Sequence, residues 1–497
     1  HLKEPYKMAS SEEWLKMQRL SNPNFSITET PINQYDTTKT TDWWDAVINP
    51  HSPTLNADIS YLGGSEKARY AMSLSYTDAN ASTKVGDWKR ATARISGDFK
   101  INKWLKFGGS LAPRYETWIN TPVDFLGLIG TDPITSPFIN PNLQHIPASA
   151  DPTLYDAQWS AYGTPYGGPG NGTPPPNYVF GMNLATLSPN QLYGIQSSSF
   201  VEIEPIKNLT FRTTGGANVD NTTDNFFTPR YYLNPNSYNP LTAAGTGFDV
   251  KYNWVLSNVF TYKASIKDQH NFTILVGQEA SEQKEYFGSG ARYSADSSLG
   301  NNPLFAYASY LNMDLTNPAV LAAFNGGPNG TGGVTGAINN DYWVKRTAYF
   351  GRLEYNYESK YYITANARRD GNSKFPPSNQ YAFFPSVSVG WKISSEKFMS
   401  KYSWLNYMML KARWGQRGND NAITRSTWYS LVSTGATYPF AGQIAYGTVP
   451  TQIGNPNLKW ETDVDRGLGL ESKFLNYKRS EERRVGNESR SRWSPSP

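Results

Sequence analysis

The joins between the predicted strands alternate between short charged turns and long loops rich in Gly, Pro, Asn and aromatic residues. The strands are runs of about ten residues in which apolar and polar side chains alternate. In the run 70–76, for example, Tyr70, Met72, Leu74 and Tyr76 share one face. A closed antiparallel barrel in an outer membrane has short turns at one rim and long loops at the other. The alternation therefore predicts a barrel wall with short periplasmic turns and long extracellular loops.

About thirteen strands are predicted by this period-two pattern. They cover residues 54–62, 67–77, 89–101, 104–117, 191–204, 207–220, 249–265, 270–286, 342–357, 360–371, 381–394, 405–418 and 460–475. Short turns are predicted at 63–67, 102–103, 205–206, 267–269, 358–360 and 394–404, and the longest loops at 118–190, 221–248, 287–341 and 419–459. Single-chain bacterial barrels close with an even number of strands. We therefore expect an all-β, antiparallel transmembrane β-barrel that is incomplete in this chain.

The composition fits strands and turns better than helices. The chain has 33 Tyr, 15 Trp, 41 Gly and 33 Pro, and only 18% of its residues are charged. No apolar run approaches the roughly 18 residues of a membrane-spanning helix. The absence of Cys excludes disulfides, thiolate metal sites and a cysteine nucleophile. The net charge of +5 comes from interspersed residues of both signs, so it predicts no nucleic-acid partner.

Three regions are predicted along the chain. Residues 1–53 form a lead-in segment with a short helix at 9–21, since Ser10 and Glu13 make a capping-box pattern. Residues 54–478 form the partial barrel. Residues 479–497 differ in composition from the aromatic-rich chain before them and resemble translated adapter sequence. We interpret them as foreign to the protein. No signal peptide follows His1, so we expect the natural protein to extend beyond both ends.

Several ordered segments resemble the SusC/RagA family of TonB-dependent (TonB-linked) transporters of Bacteroidetes outer membranes. The most specific is Asn-Pro-Asn-Leu-Lys-Trp-Glu-Thr at 455–462, which is similar to the family's NPxLKWE signature. The other matching segments lie at 42–45, 63–70, 102–107, 351–357, 368–375, 384–391 and 410–419. Each segment alone is moderately specific, but the complete set occurs in family order.

The resemblance implies an energised importer in the cell outer membrane, with about 22 strands. It also implies a plug inside the barrel, a periplasmic contact with TonB, and a SusD/RagB-like surface lipoprotein over the outer mouth. The implied cargo is an oligosaccharide or, in some branches, a peptide. The chain lacks the plug, the TonB box and the final strands of that pattern. We therefore expect the chain alone to be an inactive part of the importer.

Loop aromatic residues are the candidates for cargo contact, because flat rings with polar neighbours can stack on sugars or on peptide side chains. An alternative is that these rings only pack the loops together or contact the lipoprotein. The inward-facing Arg94, Arg212 and Lys411 are candidates for plug or pore contacts, and solvated lumen residues are the simpler interpretation. The candidate cargo residues are Tyr155, Trp159, Tyr162, Tyr166, Trp428, Tyr429 and Tyr438.

The sequence gives little support for catalysis or for a cofactor. The four His residues are scattered, and no metal-protease, nucleophile-elbow or phosphate-loop context is present. Residues 220–225 and 419–421 offer oxygen ligands for Ca²⁺ in an outer loop, but solvated turns are favoured. The Gly-rich segment 326–333 is interpreted as a flexible lid segment. The alternative function is a soluble or surface-displayed β-rich glycan-binding protein, and a passive porin is a weaker third possibility.

Overall fold

A computed structural model provides the structure of the chain. It describes residues 8–27, 35–121, 123–139, 155–166, 176–234, 236–239, 242–294, 337–402, 404–421, 423–424, 426–440, 443–474 and 478–479. The predicted lid segment 326–333 and residues 480–497 of the predicted foreign tail lie outside this set.

Antiparallel β-strands make up most of the described chain. The first nine are β1 Thr54–Gly64, β2 Ala68–Asn80, β3 Asp87–Lys100, β4 Leu105–Trp118, β5 Asn190–Ile206, β6 Leu209–Thr228, β7 Tyr231–Asn234, β8 Ser237–Asn239 and β9 Thr242–Ile266. The others are β10 His270–Ser294, β11 Ala337–Tyr357, β12 Tyr361–Asn372, β13 Tyr381–Trp391, β14 Leu405–Asn419, β15 Leu431–Phe440, β16 Gln443–Gln452, β17 Glu461–Phe474 and β18 Lys478–Arg479.

Fourteen of these strands form one sheet in sequence order, interrupted only where two hairpins leave it. The order is β1-β2-β3-β4-β5-β6-β9-β10-β11-β12-β13-β14-β17-β18, and the hairpins are β7-β8 and β15-β16. Each of the thirteen predicted strands corresponds to one long strand of this sheet. Within the described residues β1 pairs only with β2, so the sheet is open. The prediction of an incomplete antiparallel barrel is confirmed.

The two faces of the sheet differ in polarity, as the alternation predicted. Met72 and Leu74 are exposed on one face, and their direct neighbours across the strand pairs are Ile95 and Ala93. We call this the outward face, and the opposite face, which carries Ser73 and Ser75, the lumen face. The rings of Trp254, Tyr262, Trp391 and Trp414 all lie on the outward face, by the parity of the strand pairing. Hydrocarbon would therefore meet mainly apolar side chains.

Aromatic pairs mark the short-turn end of the outward face. Each pair joins neighbouring strands, with ring centroids 4.5–6.0 Å apart. Such a belt of rings is typical of the membrane–water boundary of a transmembrane barrel. The pairs are Tyr61–Tyr70, Phe99–Phe107, Phe211–Phe260 and Phe272–Tyr355.

The short turns are tight, and two of them have two successive non-glycine residues at positive φ. Lys267 and Asp268 have φ of 52° and 54°, and Glu358 and Ser359 have φ of 48° and 51°. This is the type I′ geometry, whose twist matches that of the strands it joins. One turn prediction was wrong: residues 205–206 belong to β5, and the turn lies at 207–208, where Asn208 takes the positive φ. Asn tolerates that conformation better than Pro205 or Ile206 does.

Several strands extend beyond the predicted barrel into the long loops. β6 reaches Thr228, and β9 begins at Thr242, so most of the predicted loop 221–248 is sheet. Residues 220–225, considered as an outer calcium loop, therefore lie within β6, and the loop assignment was wrong. The polar side chains in this segment do not show the apolar/polar alternation of a strand. Its backbone is nevertheless paired with β5 on one side and β9 on the other.

The helices are short and lie outside the sheet. They are α1 Ser11–Ser21, α2 Trp43–Val47, α3 Phe125–Ile129, α4 Ala157–Ser160 and α5 Tyr178–Ala185. The capping box predicted for α1 is present, since Ser10 and Glu13 exchange side-chain-to-backbone hydrogen bonds. None of the helices in the described residues is long and apolar enough to cross a membrane.

The type I′ turn at 267–268 gives a test of the backbone argument. Asp268→Gly is expected to raise the free energy of unfolding by about 0.5–1 kcal/mol, because Gly adopts positive φ without steric cost. The measurement is the midpoint of urea unfolding in detergent. Ser265→Gly, within regular β9, is the control and should lower that midpoint. A lower midpoint for Asp268→Gly would contradict the turn assignment.

Candidate functional site

The main buried core lies at the long-loop end and not inside the sheet. It joins the segment before β1 to the loop between β4 and β5 and to the β7-β8 hairpin. Ile48 pairs with Thr83 of the β2–β3 loop, which fixes the core to this rim. We call this core the loop cluster. Its buried members are Trp43, Val47, Ile48, Leu128, Trp159, Tyr162, Tyr178, Val179, Phe180, Met182 and Leu233.

One buried carboxylate organises the chain beside the loop cluster. Asp132 is 2% exposed, and its oxygens accept hydrogen bonds from the backbone N–H groups of Ile134, Thr135 and Tyr166 at 2.6–3.1 Å. The Thr135 hydroxyl donates to both oxygens. The carbonyl of Asp132 accepts from the indole of Trp43 at 2.7 Å. Burial raises the pKa of Asp132, and these donors act in the opposite direction.

Four of the predicted cargo aromatics lie in or beside this core. Trp159 and Tyr162 are each 7% exposed and pack on one another and on Phe180. Tyr155 contacts Tyr232 with ring centroids 5.4 Å apart. Tyr166 makes edge contacts with the rings of Trp14, Phe25 and Tyr35. All four rings therefore take part in packing between loops. Such packing is the alternative to cargo contact that the sequence analysis left open.

The other three predicted aromatics belong to an uncharged arm. Residues 426–458 contain no charged side chain, and within them β15 and β16 form a separate hairpin. Tyr438 is 51% exposed on that hairpin. Trp428 and Tyr429, at its base, meet edge to face at 5.2 Å and are half-buried. The structure thus divides the seven predicted residues into a packed group of four and an arm group of three.

The base of the uncharged arm is fixed by what we call the rim clasp. One carboxylate oxygen of Asp420 accepts from the Asn372 amide at 2.6 Å and lies 3.4 and 3.5 Å from Arg346 and Lys374. On the other side of the arm, Trp460 stacks on the buried Phe375 at 4.6 Å. The rim clasp therefore joins the segments 368–375, 410–420 and 455–462, which carry three of the resemblance motifs. It consists of Arg346, Asn372, Lys374, Phe375, Asp420 and Trp460.

Charges on the lumen face are mostly paired between strands. Glu202 lies between Lys106 and Arg212, at 2.7 and 3.3 Å. The hydrogen bond from Lys106 and the charges of both cations hold the pKa of the Glu202 carboxyl below its ordinary value, although burial acts in the opposite direction.

 This triad lies at the short-turn rim, beyond the belt residue Phe107. Lys411 likewise pairs with Glu471 at 2.6 Å. Two of the three predicted inward cations thus have carboxylate partners across a strand pair.

A glycine permits one of these pairs to form across an intervening strand. Arg114 on β4 and Asp220 on β6 are 2.8 Å apart, although β5 lies between them. The residue of β5 in register with both is Gly194, where a Cβ would lie 2.5 Å from the Asp220 carboxylate. The lumen face therefore carries an ion pair that joins β4 to β6 across β5.

Metal-ligating side chains are not clustered in the residues that the structure covers. No group of three or more His, Asp or Glu side chains there is placed to hold a metal ion. Asp420, considered as a calcium ligand in the sequence, belongs to the rim clasp. Asp220 is paired with Arg114. What the arrangement offers is exposed aromatic surface on the arm above a lumen lined by paired charges.

Sequence reasoning missed Asp132, the rim clasp and the role of the segment before β1. A signal for Asp132 was available, because an Asp followed by Pro and then Thr at the third position is typical of side-chain-capped turns. The clasp had no local signal, since its residues are up to about a hundred positions apart in the sequence.

Comparison with known proteins places this geometry in context. No family model matches the chain. It is 28% identical over 455 residues to TonB-dependent receptor P26 of Formosa agariphila, covering 89% of this chain and 40% of that protein. It is 23% identical to TonB-dependent receptor SusC of Bacteroides thetaiotaomicron, covering 88% and 41%. Its fold matches a structure of the RagAB peptide transporter with a TM-score of 0.72 and 21% identity, over 95% of this chain and 51% of that one.

The chain resembles TonB-dependent receptors of the SusC and RagA type. The resemblance inferred from the ordered motifs is thus confirmed. The chain spans about 40% of the length of the curated relatives named above. The rim clasp gives three of the SusC/RagA-type motifs a structural explanation, since they meet at one point of the barrel rim.

Asp132 gives a test of how the packed loops are held. Asp132→Asn is expected to weaken the local structure by about 1–3 kcal/mol, because an amide N–H₂ would face the N–H of Tyr166 and leave buried donors unpaired. The measurement is hydrogen exchange of the backbone amides in 155–166, which should become faster. The control is Asp124→Asn at the exposed start of α3, where Asn caps equally well. Equal exchange in the two variants would contradict the role of Asp132.

Proposed function

We propose that this chain forms part of the barrel wall and outer loops of an outer-membrane TonB-dependent importer. The observation that supports this most directly is the division of the sheet into an apolar outward face and a lumen face with paired charges. A soluble protein rarely exposes a large contiguous apolar surface. A transmembrane barrel requires such a band on every strand, with aromatic rings at its edges. The sequence similarity to TonB-dependent receptors supports the same function independently.

The proposed cargo is an oligosaccharide. The uncharged arm supports this proposal, because aromatic rings without neighbouring charges suit the apolar faces of neutral sugars. The arm residues Trp428, Tyr429 and Tyr438 are the first candidates for contact. Tyr155, Trp159, Tyr162 and Tyr166 remain candidates, although their rings also pack between loops. A peptide is the alternative cargo, because the fold is similar to that of the RagAB peptide transporter. The uptake experiment below therefore measures peptides as well as oligosaccharides.

The proposed partners follow from the same comparison. A SusD/RagB-like lipoprotein would cover the outer mouth, where the arm and the loop cluster lie. TonB would act from the periplasmic side. Both partners are proposed from the relatives alone.

The alternative of a soluble glycan-binding protein fits the outward face poorly. Ile59, Leu74, Ile95 and Leu111 are 48–69% exposed and lie on the outward face of the four neighbouring strands β1 to β4. Leaving these side chains in water would cost about 1.5 kcal/mol or more for each, relative to burial. Lipid would remove that cost, so we favour the membrane protein.

Substitution on the two faces tests the membrane assignment. Leu74→Arg places a charge near the middle of the outward face and is expected to destabilise the assembled barrel by about 2–4 kcal/mol. Ser75→Arg, one residue along the strand and on the lumen face, should have a much smaller effect. The measurement is the amount of protein in the outer-membrane fraction that stays folded on a gel without heating. Equal loss for both variants would contradict the assignment of faces.

Uptake by a strain that carries only the variant protein tests the cargo. Trp428→Ala and Tyr438→Ala are each expected to reduce oligosaccharide uptake by roughly two- to tenfold, the loss of one ring contact of about 0.5–1.5 kcal/mol. Trp104→Ala, beside a short turn at the opposite rim, is the control and should leave uptake unchanged. If deletion of the protein abolishes only peptide uptake, the oligosaccharide proposal is wrong while the importer proposal stands.

A further inference from the structure

The join between β13 and β14 is much longer than the other short turns and carries exposed aromatic rings. It runs from residue 392 to residue 404, whereas the other described short turns have two to four residues. Phe398, Tyr402 and Trp404 are 47–56% exposed in or at the end of this join. A hairpin needs only two residues to reverse the chain. The extra length and the exposed rings therefore require a role other than joining two strands.

Two consecutive 3₁₀ turns fold this join into a compact element. They are Ile393–Ser395 and Lys397–Lys401. Backbone N–H groups along them donate to carbonyl oxygens three residues earlier, at 3.0–3.1 Å. The hydroxyl of Ser400 also donates to the carbonyl oxygen of Lys397 at 2.7 Å. The backbone is therefore satisfied within the join, which leaves its side chains for contacts outside it. We call residues 392–402 the 3₁₀ segment.

One carboxylate fixes the 3₁₀ segment to the outward face. Glu396 accepts hydrogen bonds from the hydroxyl of Tyr361 at 2.6 Å and from the indole N–H of Trp391 at 3.0 Å. Both rings lie on the outward face, because Trp391 is in register with Tyr361 and Tyr361 with Tyr357. Tyr357 lies two residues nearer the turn than the belt residue Tyr355. The 3₁₀ segment therefore lies against the outside of the wall, at the edge of the aromatic belt.

A second contact holds the end of the join on the same side of the wall. The ring of Trp404 stacks on that of Phe474, with centroids 5.7 Å apart and 13° between the ring planes. Phe474 shares its face of β17 with the exposed Leu468 and Leu470, which lie on the outward face. Rings at this level of a barrel are typical of the membrane–water boundary. The exposed rings of the join therefore continue the aromatic belt.

Two lysines of the 3₁₀ segment carry charges that no nearby carboxylate balances. Lys397 and Lys401 are exposed, and in the part of the chain that the structure describes neither lies within ion-pair distance of a carboxylate. Glu358, at the same rim, pairs with Lys360 at 2.6 Å. Glu396 is bonded to the two rings. Long lysine side chains beside a membrane extend to the level of the headgroups. Both ammonium groups are therefore available to an anionic headgroup.

We propose that the 3₁₀ segment binds anionic phospholipid in the membrane leaflet on the short-turn side. The rings of Phe398, Tyr402 and Trp404 lie at the boundary of the hydrocarbon, and Lys397 and Lys401 bind headgroup phosphates. Aromatic rings combined with lysines are typical of segments that lie in a membrane interface. Continuity with the aromatic belt and the charge of the lysines both favour an anionic lipid as the occupant. The proposal rests on the proposed function, because it requires the outward face to meet lipid.

Fluorescence quenching in lipid vesicles tests whether the segment lies at the membrane surface. The chain contains no Cys, so Phe398→Cys gives one site in it for a bimane label. We expect lipids brominated near the headgroup to quench this label strongly and aqueous iodide to quench it weakly. Glu66→Cys, in the exposed turn between β1 and β2, is the matched control and should show the reverse. A label at position 398 that behaves like the label at position 66 would overturn the proposal.

The label at position 398 also tests the choice of lipid. The vesicles contain phosphatidylglycerol and phosphatidylcholine, and either lipid is brominated in turn. With both lysines present, brominated phosphatidylglycerol is expected to quench more strongly. Lys397→Gln with Lys401→Gln should reduce the preference for the anionic lipid by up to roughly thirtyfold, at about 1 kcal/mol for each lysine. Lys397→Arg with Lys401→Arg should preserve the preference. Equal quenching by the two lipids with both lysines present would overturn the assignment to an anionic lipid.

Matched variants separate this inference from a general charge effect and from the proposed function. Lys67→Gln with Lys103→Gln removes the same charge from exposed residues of two other short turns and should leave the preference at position 398 unchanged. An equal loss in that control would refute a site at the 3₁₀ segment. Should the double variant at 397 and 401 fail to assemble, each single Gln variant should show about half of the effect in free energy. Absence of the protein from outer membranes would refute both proposals, whereas normal membrane location with a water-exposed label at 398 would refute only this one.

Discussion

Unbroken backbone pairing between neighbouring strands is the constraint on which the rest of this structure depends. Hydrocarbon offers no hydrogen-bond partner, so each N–H and C=O at membrane depth must find one in the protein. β9 and β10 meet this demand through twenty-five successive residues in register, and β6 and β9 through twenty. Register shifts occur at only a few points near strand ends. Once the register is fixed, each side chain is assigned to lipid or to the lumen.

That assignment accounts for the contrast between the two faces. On the lumen face, charged residues in register find partners one or two strands away, as Arg114 and Asp220 do. On the outward face the same geometry places rings beside rings at the short-turn rim. The apolar core that a soluble domain would place inside its sheet lies instead among the long loops, where Trp43 and Leu128 are fully buried. Packing energy is therefore concentrated at the long-loop rim.

The sequence predicted the strands well because each has a strong local signal. The alternation of Tyr70, Met72, Leu74 and Tyr76 depends only on the pleat of the strand, and neighbouring residues suffice to reveal it. The strand extensions beyond the membrane lacked this signal, because residues such as Asn221 to Asp224 are polar on both faces. The loop core and the rim clasp depend on contacts between distant segments, which no local pattern encodes. For the same reason, the aromatic content of the loops identified candidate rings without separating packed Trp159 from exposed Tyr438.

The rim clasp makes the uncharged arm a replaceable unit. Asp420 fixes the chain just before the arm and Trp460 just after it, and both are held by the same short segment of residues 372–375. The distance between the two ends of the arm is therefore set by the rim and not by the arm itself. Insertions, deletions or wholesale exchange of residues between those anchors would leave the register of β14 and β17 intact. A barrel built in this way can acquire a new recognition surface by changing one loop, while its wall stays the same.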